Sequence, residues 1–194
     1  GEVASSAAIS TAVQEIVSRI TSAKSEVNPE YQQWLEQSLH TANNVVRGNR
    51  DKKDRIGTTL VVALVIDKEA YIANVGDSRA YLLVGEDIYQ ITEDQSVVQM
   101  LINAGAITEE DAENHPYRNV LSQAVGMDTN IDVDTFQQEL EKDAYLLLCS
   151  DGLTNELNNE QLQSIVLNSD SPQGACDELV KAANEAGGKD NISI

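Results

Sequence analysis

Val3, Ala7, Ala8, Ala12, Val13, Ile16 and Ile20 recur at helical spacing, so the chain begins on an amphipathic helix. Asn28-Pro29-Glu30 starts a second helix, with Asn28 as its cap and Pro29 in its first turn. The apolar face of that helix is Trp34, Leu35, Leu39, Ala42, Val45 and Val46, and Gly48 ends it. The period then changes. Residues 58–66, 70–75, 80–84 and 88–91 are short β-rich runs broken by turn residues, which predicts an antiparallel meander. Helical spacing returns over 94–104 and 108–113, the latter with a Thr108 cap and an acidic first turn. After a His115-Pro116 turn, strands are expected over 131–136 and 144–149 and helices over 157–167 and 172–186. Residues 192–194 begin a further strand.

No repeat or linker interrupts this order, and 194 residues suffice for one domain with a substantial core. Two helices, a run of strands, then more strands and two helices predict an α+β domain over 1–194, with sheets sandwiched between helical layers. Both ends fall inside predicted elements, a helix at Gly1-Glu2-Val3 and a strand at Ile194. The expectation is therefore a domain truncated at both ends.

Composition sharpens this in one respect. Apolar residues at 41% and charged residues at 23% are ordinary for a globular protein, but the net charge of −19 is not. Such a surface repels nucleic acid and anionic membranes and favours cations or basic protein segments. Much of the charge is expected simply to solvate the surface. Cys149 and Cys176 lack the spacing of a zinc site or disulfide scaffold, and Cys149 lies inside an apolar run, as a reduced buried thiol would. A reducing, cytoplasmic setting is expected. The longest aliphatic run, Leu60 to Ile66, is far too short to span a membrane, and the start of the chain lacks the order of a signal peptide.

The candidate chemistry lies in two aspartate motifs. Ser150-Asp151-Gly152 directly follows Tyr145-Leu146-Leu147-Leu148-Cys149, and Gly188-Lys189-Asp190-Asn191-Ile192 comes close to the end of the chain. Each sets a carboxylate at the edge of an apolar strand, where a lone anion is costly to desolvate. Both make sense if they meet around a hard divalent cation, which prefers carboxylate oxygen. Plainer roles compete: Asp151 could be a turn or helix-cap aspartate, since Asp-Gly is a common turn signal, Asp190-Asn191 could be a turn before a strand, and Asp94 is well placed to cap a helix. No EF-hand loop and no glycine-rich phosphate loop with a following lysine is present.

In order, Gly1-Glu2-Val3-Ala4-Ser5, Gly57-Thr58-Thr59, Val75-Gly76-Asp77-Ser78-Arg79-Ala80-Tyr81, Thr92-Glu93-Asp94-Gln95-Ser96, His115-Pro116, Ser150-Asp151-Gly152-Leu153-Thr154 and Gly188-Lys189-Asp190-Asn191-Ile192-Ser193 span the chain. Any one of these is weak, but the ordered set resembles the metal-dependent serine/threonine protein phosphatases of the type 2C family, especially the bacterial ones. That resemblance implies a four-layer α/β/β/α sandwich of two mainly antiparallel sheets flanked by helix pairs. It implies hydrolysis of phosphoserine or phosphothreonine by a metal-activated water, without a phosphoenzyme. Two Mn2+ or Mg2+ ions are implied, with a third held more weakly. By motif, Asp151 and Asp190 match ligands of the shared two-metal centre, and Asp94 matches the aspartate that helps hold the third metal. Implied partners are phosphorylated proteins, protein kinases among them, with no nucleic acid and no membrane insertion; a monomer is favoured. Asp77 and Arg79 match a segment that is structural in the family. His115 falls in the flap region, where a turn role is expected, and His40 is expected only to pack.

The resemblance also implies an Asp-Gly-Met-Gly-Gly-His-like segment just ahead of Gly1 and an arginine further upstream that holds the substrate phosphate. Neither is in this sequence, so no catalytic residue is assigned. Gln95 stands where histidine is common, Gln123 where arginine is frequent, and Ser193 replaces threonine; the two glutamines are expected to tune the flap or the substrate preference. Two other readings share the scaffold: a pseudophosphatase or truncated protein-interaction module, and a carboxylate-rich cation-binding domain without catalysis.

Overall fold

The computed structural model describes residues 2–23, 30–48 and 57–194; the expected cap at Asn28-Pro29 lies outside them. In chain order the elements are α1 (Glu2–Ser22), α2 (Tyr31–Gly48), β1 (Leu60–Ile66), β2 (Glu69–Val75), β3 (Arg79–Val84), β4 (Asp87–Gln90), α3 (Val97–Asn103), α4 (Glu109–Glu113), β5 (Asp134–Glu139), β6 (Tyr145–Cys149), α5 (Asp151–Thr154), α6 (Asn159–Asn168) and α7 (Pro172–Ala186). Helices and two three-stranded antiparallel sheets make up the mixed α+β class expected. Among the described residues no helix is long and apolar enough to cross a membrane.

The chain divides into two compact units. The first takes Gly1–Asp77 and Glu93–Glu139. Its sheet has the order β1-β2-β5, with Leu60 opposite Val75 and Glu69 opposite Glu139. Leu35, Leu39, Ala42 and Val46 of α2 share one core with Leu60, Ala73 and Val75. The helix α1 forms as expected, but through a different face. Ala4, Ala8, Ala12 and Ile16 are buried, whereas Val3, Val13 and Ile20 are exposed. Small side chains let the axis of α1 approach its neighbour closely, so the alanine stripe wins the contact over the larger valines and isoleucines.

Within this unit Asn43 is 1% exposed, and its side chain ties α2 to the loop before β5. Nδ2 donates to the carbonyl of Asp128 at 3.0 Å, and Oδ1 accepts from the amide of Gly126 at 2.6 Å. Asn43→Ala strands both groups in the core. The expected loss is about 2 kcal/mol in urea unfolding; an unchanged midpoint would show that water reaches these groups.

The second unit takes Ser78–Thr92 and Leu140–Ile194. Its sheet has the order β4-β3-β6, with Arg79 opposite Cys149. Tyr81, Leu83, Leu147 and Cys149 pack with Leu153, Leu162, Val166, Leu179 and Ala183 from α5, α6 and α7. Asn158 caps α6 through a reciprocal capping box with Gln161. Leu157 before the cap and Leu162 after it both enter this core, the pattern of a hydrophobic staple. Cys149 is buried and neither cysteine is in a disulfide, as expected.

Several expected boundaries move. The single meander is two hairpins in two sheets, because β2 and β3 are each central strands that need partners on both sides. Those partners, β5 and β6, come from much later in the chain, and a period-2 pattern carries no pairing information. Strand β5 starts at Asp134 rather than 131; Ile131 is buried in the first core, but from a loop. Residues 192–194 form no strand, although Ser150 N donates to the carbonyl of Ser193 at 3.0 Å and Ile192 and Ile194 pack on the second core. Helix α3 starts at Val97, not at 94.

Candidate metal centre

Asp151 is the first residue of α5, a single helical turn that begins where β6 stops. Ser150 occupies the cap position but makes no capping bond with its side chain. The hydroxyl instead donates to the carbonyl of Asn191 at 3.2 Å and accepts from the amide of Ser193 at 3.0 Å. Those bonds lace the two aspartate motifs together across forty residues of sequence. Gly152 completes the seam. A Cβ there would lie 2.3 Å from the carbonyl oxygen of Asn191, so only glycine admits this approach.

The two carboxylates feel each other. Asp151 is half-buried, and its carboxyl is raised above the ordinary carboxylate range, first by desolvation and then by the negative charge of Asp190. Hydrogen bonds from Gly152 N–H and from Asn155 Nδ2, the latter at 3.3 Å to Oδ2, offset part of that rise. Asp190 is exposed and turns one oxygen back to the amide of Asn191 at 2.7 Å. Lys189, its neighbour in sequence, pairs with Glu156. The result is two oxygen donors with unbalanced negative charge, which suits a hard divalent cation as part of its ligand set. Among the described residues, no group of three or more His, Cys, Asp or Glu side chains gathers around one point.

Asp94 is carried by the other unit, half-buried in the segment before α3. It is not the helix cap. Ser96 is, accepting from Gln99 N at 3.2 Å, while Asp94 contributes its backbone carbonyl to Ser96 N–H. The turn reading of Asp151-Gly152 fails as well, because Gly152 is helical and not among the glycines with positive φ.

The two glutamine departures are structural. Gln95 Nε2 donates to the carbonyl of Asp132 at 3.0 Å and to Asp134 Oδ2 at 2.8 Å, and its Oε1 accepts from Gly76 N. Gln123 Nε2 donates to Asp132 Oδ2 at 3.1 Å. Both therefore pin the segment that leads into β5. His115 accepts from Tyr117 N at Nδ1, a turn role as expected, and His40 lies on α2 3.8 Å from Glu36. Asn155 escaped the sequence reading, although its place four residues after Asp151 puts it on the same helical face.

The Protein phosphatase 2C family model matches residues 2–100 and 122–192. The serine/threonine phosphatase stp of Listeria monocytogenes serotype 4b is 37% identical over 200 residues, covering 100% of this chain and 77% of that protein. The crystal structure of the serine/threonine phosphatase Stp1 from Staphylococcus aureus superposes with a TM-score of 0.81 at 33% identity, over 94% of this chain and 73% of that one. The catalytic domain of the serine threonine protein phosphatase PstP in complex with 2 manganese ions gives 0.82 at 26% identity, over 99% of this chain and 78% of that one.

Proposed function

The chain belongs to the protein phosphatase 2C family, and we propose that it is a metal-dependent serine/threonine protein phosphatase whose Asp151 and Asp190 hold a divalent cation. The observation that carries this reading is the seam of Ser150 and Gly152 that holds the two aspartate motifs together, with the charge of Asp190 acting on Asp151. Manganese or magnesium bound there would supply an acidified water and offset charge on the phosphoryl oxygens; attack of that water on phosphorus would release the serine or threonine hydroxyl directly, without a phosphoenzyme. The chain's own residues supply the posture. Asn155 and Gly152 N–H aim the Asp151 carboxylate, and burial strengthens its demand for positive charge. Asp94 is assigned to a third, weaker ion alongside two tighter ones. Residues 1–194 belong to one catalytic domain, acting in the cytoplasm on phosphoserine and phosphothreonine proteins such as kinases, as a monomer.

Hydrolysis of a phosphothreonine peptide, with manganese and then with chelator, tests this. Phosphate release that requires manganese supports it. Asp94→Ala should lower turnover about tenfold while manganese remains bound, the scale seen when a supporting group rather than a principal ligand is lost; loss of all manganese binding would contradict its peripheral place. A non-catalytic binding module on the same scaffold draws on one observation, the absence of a third ligand side chain among the described residues. No phosphate release under either condition would favour it.

A further inference from the structure

Glu156 follows α5 by two residues, and its side chain is only 4% exposed. Oε1 is buried and has no hydrogen-bond partner. Its charged neighbour is Lys189 Nζ at 3.4 Å, on a side chain that is itself 80% exposed. On the other side the carboxylate presses against backbone: a Cβ on Gly187 would lie 2.5 Å from Oε2 and 3.1 Å from Cδ. Burying a carboxylate with so few partners is costly, and an apolar residue of similar size would fill the space at less cost. In a chain of net charge −19 a further carboxylate does nothing for solubility. The burial therefore asks for another explanation.

The segment under Glu156 supplies one. Helix α7 ends with the amides of Gly187 and Gly188 both donating to the carbonyl of Ala183, at 3.2 and 3.1 Å, and Gly188 turns the chain at φ +56°. Two successive glycines give the backbone ahead of Asp190 wide conformational freedom, and that freedom must be removed for Asp190 to face Asp151 in one posture. From the Asp190 side the seam with Ser150 begins only at Asn191. Glu156 meets the segment at Gly187 by contact and at Lys189 by charge.

We propose that Glu156 is a positioning residue that clamps the Gly187–Lys189 turn and so poses the Asp190 carboxylate beside Asp151. The proposal rests on the reading of these two aspartates as metal ligands, and the experiment separates the two. Amide hydrogen exchange over 187–191 and manganese affinity by calorimetry are measured on the whole chain, for wild type, Glu156→Gln and Gly187→Ala. Glu156→Gln preserves shape and removes charge, and Gly187→Ala displaces the carboxylate from its other side while leaving every ionisable group in the sequence unchanged.

Each variant is expected to speed exchange over 187–191 and raise the manganese Kd about tenfold. The double variant should be little worse than either single one, because both act on one contact. Melting in chelator should stay close to wild type. Unchanged exchange in both variants overturns the proposal. So does faster exchange with unchanged manganese affinity, which would confine Glu156 to loop stability. Should Glu156→Gln fail to fold, Gly187→Ala decides by the same two readouts. If wild type itself binds no manganese, the metal reading falls, and the exchange result alone decides whether Glu156 is a clamp.

Discussion

Asp151→Asn is expected to lower manganese-dependent kcat/KM on a phosphothreonine peptide by more than about 100-fold, beyond the range for residues that only orient a ligand, and yet to make the metal-free protein more stable. The two effects share one cause. Asp151 is half-buried and faces the charge of Asp190, so its carboxyl titrates above the ordinary value. In the metal-free fold that charge is a burden. The native state holds the proton more tightly than the unfolded chain, so the burden grows as pH rises from the ordinary carboxylate pKa to the raised one, and is complete above it. The amide removes it while keeping size and shape. A solvent-screened pair of like charges is worth of order 0.5 kcal/mol, hence a gain of about 1–2 °C in melting temperature at neutral pH. The gain over wild type should vanish at pH low enough to protonate both states. The Gly152 and Asn155 hydrogen bonds that the anion loses do not reverse the sign, since the carboxyl stays raised with them in place. Activity assays and melts in chelator, run on the same preparations, check both halves. If Asp151 served only the start of α5, the variant would melt lower and keep its turnover.

That coupling was partly legible in the sequence. Its place after an apolar run put Asp151 at a strand edge, where it lies; the strand expected after Asp190 does not form and Asp190 is exposed, so the cost of burying a lone carboxylate applies to Asp151 alone. The ordered motifs carried the fold class and the family. What sequence could not carry was partnership. Nothing in the alternation of β2 and β3 says that each takes its second neighbour from residues beyond 130. Nor does the helical period of α1 say that its alanines, rather than its valines, face the core. Asp94 illustrates local ambiguity: aspartate and serine both cap helices, and two residues decide which one does. Glu156 illustrates the opposite difficulty. A glutamate after a Gly-Leu-Thr-Asn run reads as surface, and only Gly187, thirty-one residues later, shows that it is enclosed.

The largest loss of stability is expected from Gly152→Ala. The new methyl would stand 2.3 Å from the oxygen of Asn191, 3.0 Å from its carbonyl carbon and 3.5 Å from the carbonyl carbon of Asp190. All three are backbone atoms, so no side-chain rotation relieves the clash; either α5 or the 190–191 segment must move. Overpacking of this kind costs about 3 kcal/mol, a drop of about 6–12 °C in melting temperature for a chain of this length. The same movement pulls Asp190 away from Asp151 and breaks the Ser150 bonds to Asn191 and Ser193, so manganese affinity should fall together with stability. Gly48→Ala is the control: nothing lies within 4 Å of a Cβ there, and its effect should stay within about 0.5 kcal/mol. A Gly152→Ala protein that melts like wild type and binds manganese normally would mean that the seam between the motifs is looser than these distances. The expected result makes the glycine of this Asp-Gly pair a requirement of close approach rather than of turning. The residue after Asp151 is then fixed by the backbone of the segment that carries Asp190.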